Sequence, residues 1–171
     1  MGRARAGYGP VGEVERISTT STPPAVAQSY IDASYHPHPS LMPAWTPIHL
    51  PPDVPAPKGP YSPAVRAGDF MYVSGQVPRD HSTGELAGND VATQTRKSLS
   101  NLQRVLEQGG ASLADVVSVT VYLASADDWD AMNVVYKEMF HAPFPSRTTV
   151  GAELRGILVE ISAVAYVPRR S

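Results

Sequence analysis

Cysteine is absent from the 171 residues, and that absence removes three kinds of chemistry at once: disulfide bonds, thiolate metal sites and a cysteine nucleophile. Charge is also sparse. Charged residues make up 18% of the chain and the formal net charge is −2, so no basic surface announces nucleic acid or an anionic membrane as a partner. No apolar run is long enough to span a bilayer. The opening MGRARAGYGP lacks the apolar centre of a signal peptide. Gly2 invites a myristoylation reading, but Ala6 occupies the position that wants serine or threonine. A cytoplasmic, reduced location is the expectation.

Proline, by contrast, is plentiful and unevenly spread. Eleven of the 17 prolines precede Lys58. Residues 1–45 show no sustained helical or strand period and read as a disordered or loosely packed extension, followed by a folded domain over 46–168. Met42 is an alternative start of the chain. His36 and His38 in YHPHPS have a proline between them and no third ligand nearby, which argues against a metal site. TPIHL, residues 46–50, is a candidate first strand.

Beyond Lys58 the periods are clear. AVRAG followed by DFMYVSGQ predicts a hairpin turning at Ala67-Gly68-Asp69. NDVATQTRKSLSNLQRVLEQGG predicts an amphipathic helix with Val91, Thr95, Leu99, Leu102 and Leu106 on one stripe. Asn89 or Asp90 caps it and Gly109-Gly110 ends it. DVVSVTVYL predicts a strand. SADDWDAMNVVYKEMF predicts a second helix, with Ser125 three residues before Asp128 as a capping pattern. SRTTVG and GILVEISAVAYV complete a β-β-α-β-α-β-β order, an α+β arrangement with two helices on one sheet. GAELRG lacks the Gly-Lys-Ser/Thr ending of a phosphate loop. His81 and His141 read as loop histidines rather than acid–base groups.

Side chains alternate between the faces of a strand. One predicted face collects Met71, Val73, Val117, Val119, Val121, Leu123, Ile157, Val159, Ile161 and Ala163, all aliphatic or thioether, and suits the helices. The other collects Phe70, Tyr72, Ser74, Val116, Ser118, Thr120, Tyr122, Leu158, Glu160, Ser162, Val164 and Tyr166. Glu160 is its only charge. A face washed by water normally carries lysines and several carboxylates. Further copies of the chain are therefore expected to cover it, with a polar cleft in the interface as a ligand site.

A lone carboxylate in an otherwise apolar strand needs a partner. Arg147 opens the strand Arg147-Thr148-Thr149-Val150, and its planar fork suits a carboxylate. Two readings stand side by side: a structural ion pair with Glu160, or a clamp for a substrate carboxylate while Glu160 handles water.

The stretch from about Pro57 to Val167 resembles the Rid family of reactive-intermediate deaminases, also called the YjgF family. The segments that carry the resemblance are APKGPYSPAVRAGDFMYVSGQVP, TGEL, TQTRKSLSNLQRVLEQGGASLADVVSVTVYL, MNVVYKEMF, FPSRTTV and LVEISAVA, in the family's order and near its spacings. The resemblance implies a chorismate-mutase-like α+β fold, assembled as a homotrimer with sites in clefts between subunits. It implies hydrolysis of short-lived enamines and imines, such as 2-aminoacrylate and 2-iminopropanoate, to a 2-keto acid and ammonia. No metal or organic cofactor is expected. The expected partners are such imines or 2-keto carboxylates and further copies of the chain, with no nucleic acid and no membrane. Matched by position, Arg147 corresponds to the arginine that clamps the substrate carboxylate and Glu160 to the glutamate associated with the catalytic water. Tyr61, Ser74 and Asn133 correspond to residues in or near the pocket, and Gly75 adjoins them. Blander roles compete for four of these. Tyr61 suits a turn aromatic, Ser74 a strand-end cap, Asn133 a partner for a backbone group, and Gly75 a backbone conformation or close packing.

Several positions depart from the family pattern. Pro63 replaces a common glutamine, Thr149 stands where some members have a reactive cysteine, and Ser162 replaces a frequent second glutamate. The loop from Gly151 to Gly156 is short, and Arg155 stands where a proline is common. Arg155 is thus a candidate to enter the cleft and alter substrate preference. Two further functions stay open on these grounds. One is a specialised enzyme of the family acting on another unstable intermediate in a catabolic or biosynthetic pathway. The other is a non-catalytic trimer that binds small carboxylates or a protein. RNA cleavage, linked to some relatives, finds no basic stripe or aromatic stacking platform here.

Overall fold

The computed structural model describes residues 44–52 and 54–168. His36, His38 and Met42 lie outside them, as does nearly all of the expected extension.

Among the described residues six strands and two α-helices follow one another. They are β1 (Thr46–Ile48), β2 (Ala64–Ala67), β3 (Phe70–Gln76), α1 (Val91–Gln108), β4 (Val116–Leu123), α2 (Trp129–Met139), β5 (Ser146–Gly151) and β6 (Val159–Tyr166). The six strands form one sheet in the order β1-β2-β3-β6-β4-β5. β5 runs parallel to β4, and every other pairing is antiparallel. Both helices contribute to a single core with the aliphatic face of the sheet, as the α+β reading requires.

The hairpin between β2 and β3 turns at Gly68, whose φ of 59° suits glycine. α1 begins where Asp90 Oδ1 accepts the amide of Thr93 at 2.8 Å. It stops at Gly109, and Gly110 follows with φ 75°. All five residues of the predicted stripe are buried. Burying each leucine of that stripe contributes roughly 2–3 kcal/mol. α2 is entered through a 3-10 turn at Ala126–Asp128, where Ser125 Oγ accepts the amide of Asp127 rather than that of Asp128.

One expectation from strict alternation fails, at the first of two bulges. In β4 the register against β6 shifts between Val116 and Ser118. Val116 consequently turns into the core and Val117 out, the reverse of the parity count. In β3 the register shifts between Val73 and Gln76, so Ser74 and Gly75 together oppose Ser162. The last strand is also shorter than predicted. The Leu158 amide donates to Gln94 Oε1 at 2.7 Å and the Leu158 carbonyl accepts from the Ala124 amide, so sheet pairing starts at Val159.

A polar network braces the β3 bulge from the helix side. Gln76 is buried, and its Nε2 donates to the Ser74 carbonyl at 3.0 Å. Its Oε1 lies 3.2 Å from His81 Nε2. An amide oxygen only accepts, so His81 Nε2 carries the proton and Nδ1 is bare. That Nδ1 is buried with no partner. Burial, followed by the charges of Arg104 and Lys97, holds the imidazole below its ordinary pKa, while Asp80 pulls the other way. Asp80 itself is held far below the usual carboxylate range by Lys97 Nζ at 2.9 Å and the amides of Thr83 and Ser82.

Gln94 is buried on α1 and spans two segments, accepting from Leu158 and donating to the Gly88 carbonyl at 3.3 Å. Gln94→Met strands both backbone groups and should cost about 2 kcal/mol, read as a lower urea midpoint at unchanged m. A second expectation concerns pH. Below about pH 6.5 the unfolded chain protonates His81 while the folded chain resists, so stability is full above that pH and declines beneath it. His81→Gln should flatten the fall in thermal midpoint between pH 7 and pH 5. Asp80 loses its contribution only at lower pH and leaves this window untouched.

Candidate functional site

Glu160 lies on β6 opposite Tyr122 of β4, on the sheet face away from the helices. It lines an open cavity of about 250 Å³ with Gly75, Tyr122, Leu154 and Ser162. The β3 bulge brings Gly75 directly against it. A methyl group on Gly75 would sit 1.9 Å from Glu160 Oε1 and 2.8 Å from the carboxyl carbon. Any side chain here would displace the Glu160 carboxylate, so glycine keeps that carboxylate in place by close approach rather than by its backbone angles. Ser74 Oγ donates to the Ser62 carbonyl at 2.7 Å, and the Ser74 amide donates to the Pro63 carbonyl at 3.0 Å. These bonds tie the Tyr61-Ser62-Pro63 segment to the bulge. Tyr61 itself is exposed, with its ring packed beside Gly59.

Arg147 has a different setting. The parallel register pairs it with Val119, whose side chain is in the core, so the guanidinium leaves the sheet on the helix side. It sits 4.6 Å from the centroid of the Tyr136 ring and 5.2 Å from that of Trp129. Cation–π attraction to two rings holds the fork without using its donors. Asn133, one turn beyond Trp129 on α2, lines the same cavity of about 410 Å³, together with Lys137, Phe144 and Pro145. No Asp or Glu lines it. The described ion pairs are Arg96–Glu138 and Lys97–Asp80, and Arg147 belongs to neither. Tyr136 Oη is buried without a hydrogen-bond partner. Burial raises the pKa of that phenol, the nearby Arg147 charge opposes the rise, and the hydroxyl keeps its proton at neutral pH.

Two groups thus form where one crevice was expected. Glu160, Gly75 and Ser74 gather near the outer face. Arg147 and Asn133 gather beside α2. A direct Arg147–Glu160 ion pair is not made among the described residues, because the register sends the two side chains to opposite faces of one sheet. Sequence reading also missed Lys137, Phe144 and Leu154 as lining residues. The spacing Trp129, Asn133, Lys137 was the available signal, since residues four apart share a helix face.

A further cavity, about 450 Å³ between Gln103, Leu113, Met139 and His141, holds none of the candidates and no carboxylate or arginine. Its size does not offset that lack of chemistry. Arg155 is exposed and outside both candidate cavities, whereas its neighbour Leu154 lines the one at Glu160. Among the described residues no group of three His, Asp or Glu is placed to share a metal ion, and no helix is long and apolar enough to cross a membrane.

Comparison with known proteins converges on one family. The family model described as Endoribonuclease L-PSP matches residues 52–167. A RutC family protein of Pyrococcus horikoshii is 44% identical over 116 residues, covering 67% of this chain and 92% of its own. Proteins named 2-iminobutanoate/2-iminopropanoate deaminase are 38% identical in Dermatophagoides farinae, over 68% of this chain and 92% of that one, and in Homo sapiens, over 63% and 80%. Among solved structures, the Rid-family protein YyfA of Yersinia pestis superposes with a TM-score of 0.68 at 35% identity, covering 72% of this chain and 100% of that one. The YjgF product of Escherichia coli gives 0.65 at 33%, covering 71% and 98%. With its sheet order, its two helices and the matched stretch taken together, the chain belongs to the Rid (YjgF) family.

Proposed function

We propose that the chain hydrolyses reactive 2-imino acids and their enamine tautomers at sites shared between copies in a homotrimer. The observation that carries this reading is the division of the candidate residues into two incomplete halves. Arg147 and Asn133 offer a carboxylate clamp with no carboxylate near it. Glu160 and Gly75 offer a proton-handling carboxylate beside an open cavity with no cation lining it. Each half supplies what the other lacks. One chain cannot join them across its own sheet, but a neighbour's clamp laid against the outer face can. That face exposes Phe70, Tyr72, Val117 and Tyr166, an apolar surface suited to burial against another copy. The deaminase name carried by the Dermatophagoides and human relatives supports the same chemistry.

The reaction then runs as follows. Arg147 binds the α-carboxylate in bidentate fashion and fixes the substrate, lowering the entropic part of the barrier. An enamine first takes a proton at carbon to become the iminium ion. Glu160 orients a water molecule and accepts its proton as the oxygen adds to the iminium carbon. Glu160 returns that proton to nitrogen and then takes the proton of the new hydroxyl as the C–N bond breaks, the C=O bond forms and ammonia leaves, carrying the last proton away as ammonium. One water is consumed for one ammonia released. The iminium carbon is already electrophilic, so the steps need neither a covalent nucleophile nor a redox partner.

Purified protein should speed ammonia release from freshly generated 2-iminopropanoate. Arg147→Ala should lower the rate by about a hundredfold or more, and Arg147→Lys should also lose most activity because a point charge replaces the fork. Gly75→Ala should be nearly as damaging, since its methyl takes the place of the Glu160 carboxylate. The shared site has a sharper test. Arg147→Ala and Glu160→Gln chains, each inactive alone, should regain about a quarter of wild-type activity when assembled together at equal amounts, because that fraction of sites receives an intact half from each neighbour. Mixed trimers without recovery would overturn the shared site.

A further inference from the structure

The cavity around Arg147 carries more positive charge than one carboxylate requires. Trp129, Asn133 and Lys137 follow one another at intervals of four on α2 and line that cavity with the guanidinium. A lysine in the last turn of a helix complements the macrodipole, and α2 has only this one basic residue there. Dipole complementation alone, however, does not require the side chain to border the same space as Arg147. Neither cation has an ion-pair partner among the described residues, and no carboxylate lines the cavity. Two cations facing one space repel each other unless an anion enters it.

Neutral donors add to this. Tyr136 is 4% exposed and its buried hydroxyl has no partner, although the ring borders the cavity. Thr149 Oγ1, two residues along β5 and so on the same strand face as Arg147, is likewise buried and unpartnered, though Thr149 does not itself line the cavity. Buried hydroxyls left unpaired are uncommon and call for an explanation. A cavity of about 410 Å³ also lies within the range that holds ligands larger than a three-carbon acid.

We propose that the substrate class is a 2-imino dicarboxylate, with its α-carboxylate on Arg147, its distal carboxylate on Lys137 and the Asn133 amide between them. The imines of aspartate and glutamate are the simplest members. The proposal rests on the imine-hydrolase reading and adds to it: Lys137 selects the second charge, and hydrolysis yields a 2-keto dicarboxylate and ammonia with one water consumed. An amino-acid oxidation or an elimination that releases such an imine must supply the substrate.

The test compares imines made in situ by amino-acid oxidases from aspartate, glutamate, alanine and 2-aminobutanoate. The wild-type chain should favour the dicarboxylates in kcat/KM by about tenfold or more. Lys137→Met should lower the dicarboxylate-to-monocarboxylate ratio by about tenfold, Lys137→Glu should lower it further, and Lys137→Arg should restore it. The dicarboxylate preference should weaken with added salt, because Lys137 is exposed. Equal turnover of both classes, with a ratio unmoved by Lys137→Met, overturns the proposal and leaves the imine-hydrolase reading intact. Should no imine be turned over, that reading fails and binding decides the charge assignment separately. Titration with 2-oxoglutarate and 2-oxobutanoate, followed by Trp129 fluorescence against a Trp129→Phe control, should then show tighter 2-oxoglutarate binding that Lys137→Met removes. Equal binding of the two acids overturns the proposal.

Discussion

β5 lies parallel to β4 with Arg147 beside Val119, and this register decides where the guanidinium goes. A slip of one residue would send Arg147 to the other face, beside the Glu160 surface, and bury a threonine in its place. The register is held by the alternation along β4, where Val119 and Val121 are sealed in the core. It is also held by Ser146 Oγ, which donates to the Val117 carbonyl at 2.9 Å. From it follow the stacking on Trp129 and Tyr136, the cavity against α2, and the separation from Glu160. The functional reading as a whole is a consequence of which way one edge strand is counted.

On the opposite face the corresponding constraint is the bulge at Ser74 and Gly75. An extra residue in β3 brings a backbone without a side chain against the Glu160 carboxylate and turns Gln76 inward. Behind the bulge Gln76 bonds His81, and the neighbouring Asp80 separately bonds Lys97. Asn101 secures the same loop by donating to the carbonyls of Val77 and Arg79. Polar groups buried on α1 therefore serve the outer face without reaching it.

Much of the fold was legible in the sequence because its signals are local. The stripe of α1, the Gly109-Gly110 stop and the Gly68 hairpin each depend on residues close in the chain, and each appears where its chemistry demands. Misplacement began where a distant partner decides the outcome. Val116 and Val117 trade faces through a shift against β6 that their own alternation cannot reveal. The last strand starts late because Gln94, 64 positions earlier, takes the Leu158 amide. The site followed the same division. Arg147 and Glu160 stood out as residue types at odds with their strands, but their relative placement required a strand register. Lys137 carries only its spacing from Trp129 and Asn133 as a signal in the sequence, and its sharing of a cavity with Arg147 depends on how α2 packs.

The positions of the two key strands within the sheet differ as well. β6 is bonded on both flanks, by β3 and β4, whereas β5 forms a margin with one free side. Opening costs least at margins and most in fully bonded interior strands. In the proposed reaction, proton handling falls to a strand bonded on both flanks and carboxylate recognition to the sheet's margin. On that proposal, changes along α2 and the loop entering β5 would retune which acids are accepted while Glu160 stays fixed in β6, so selectivity would drift with reactivity anchored.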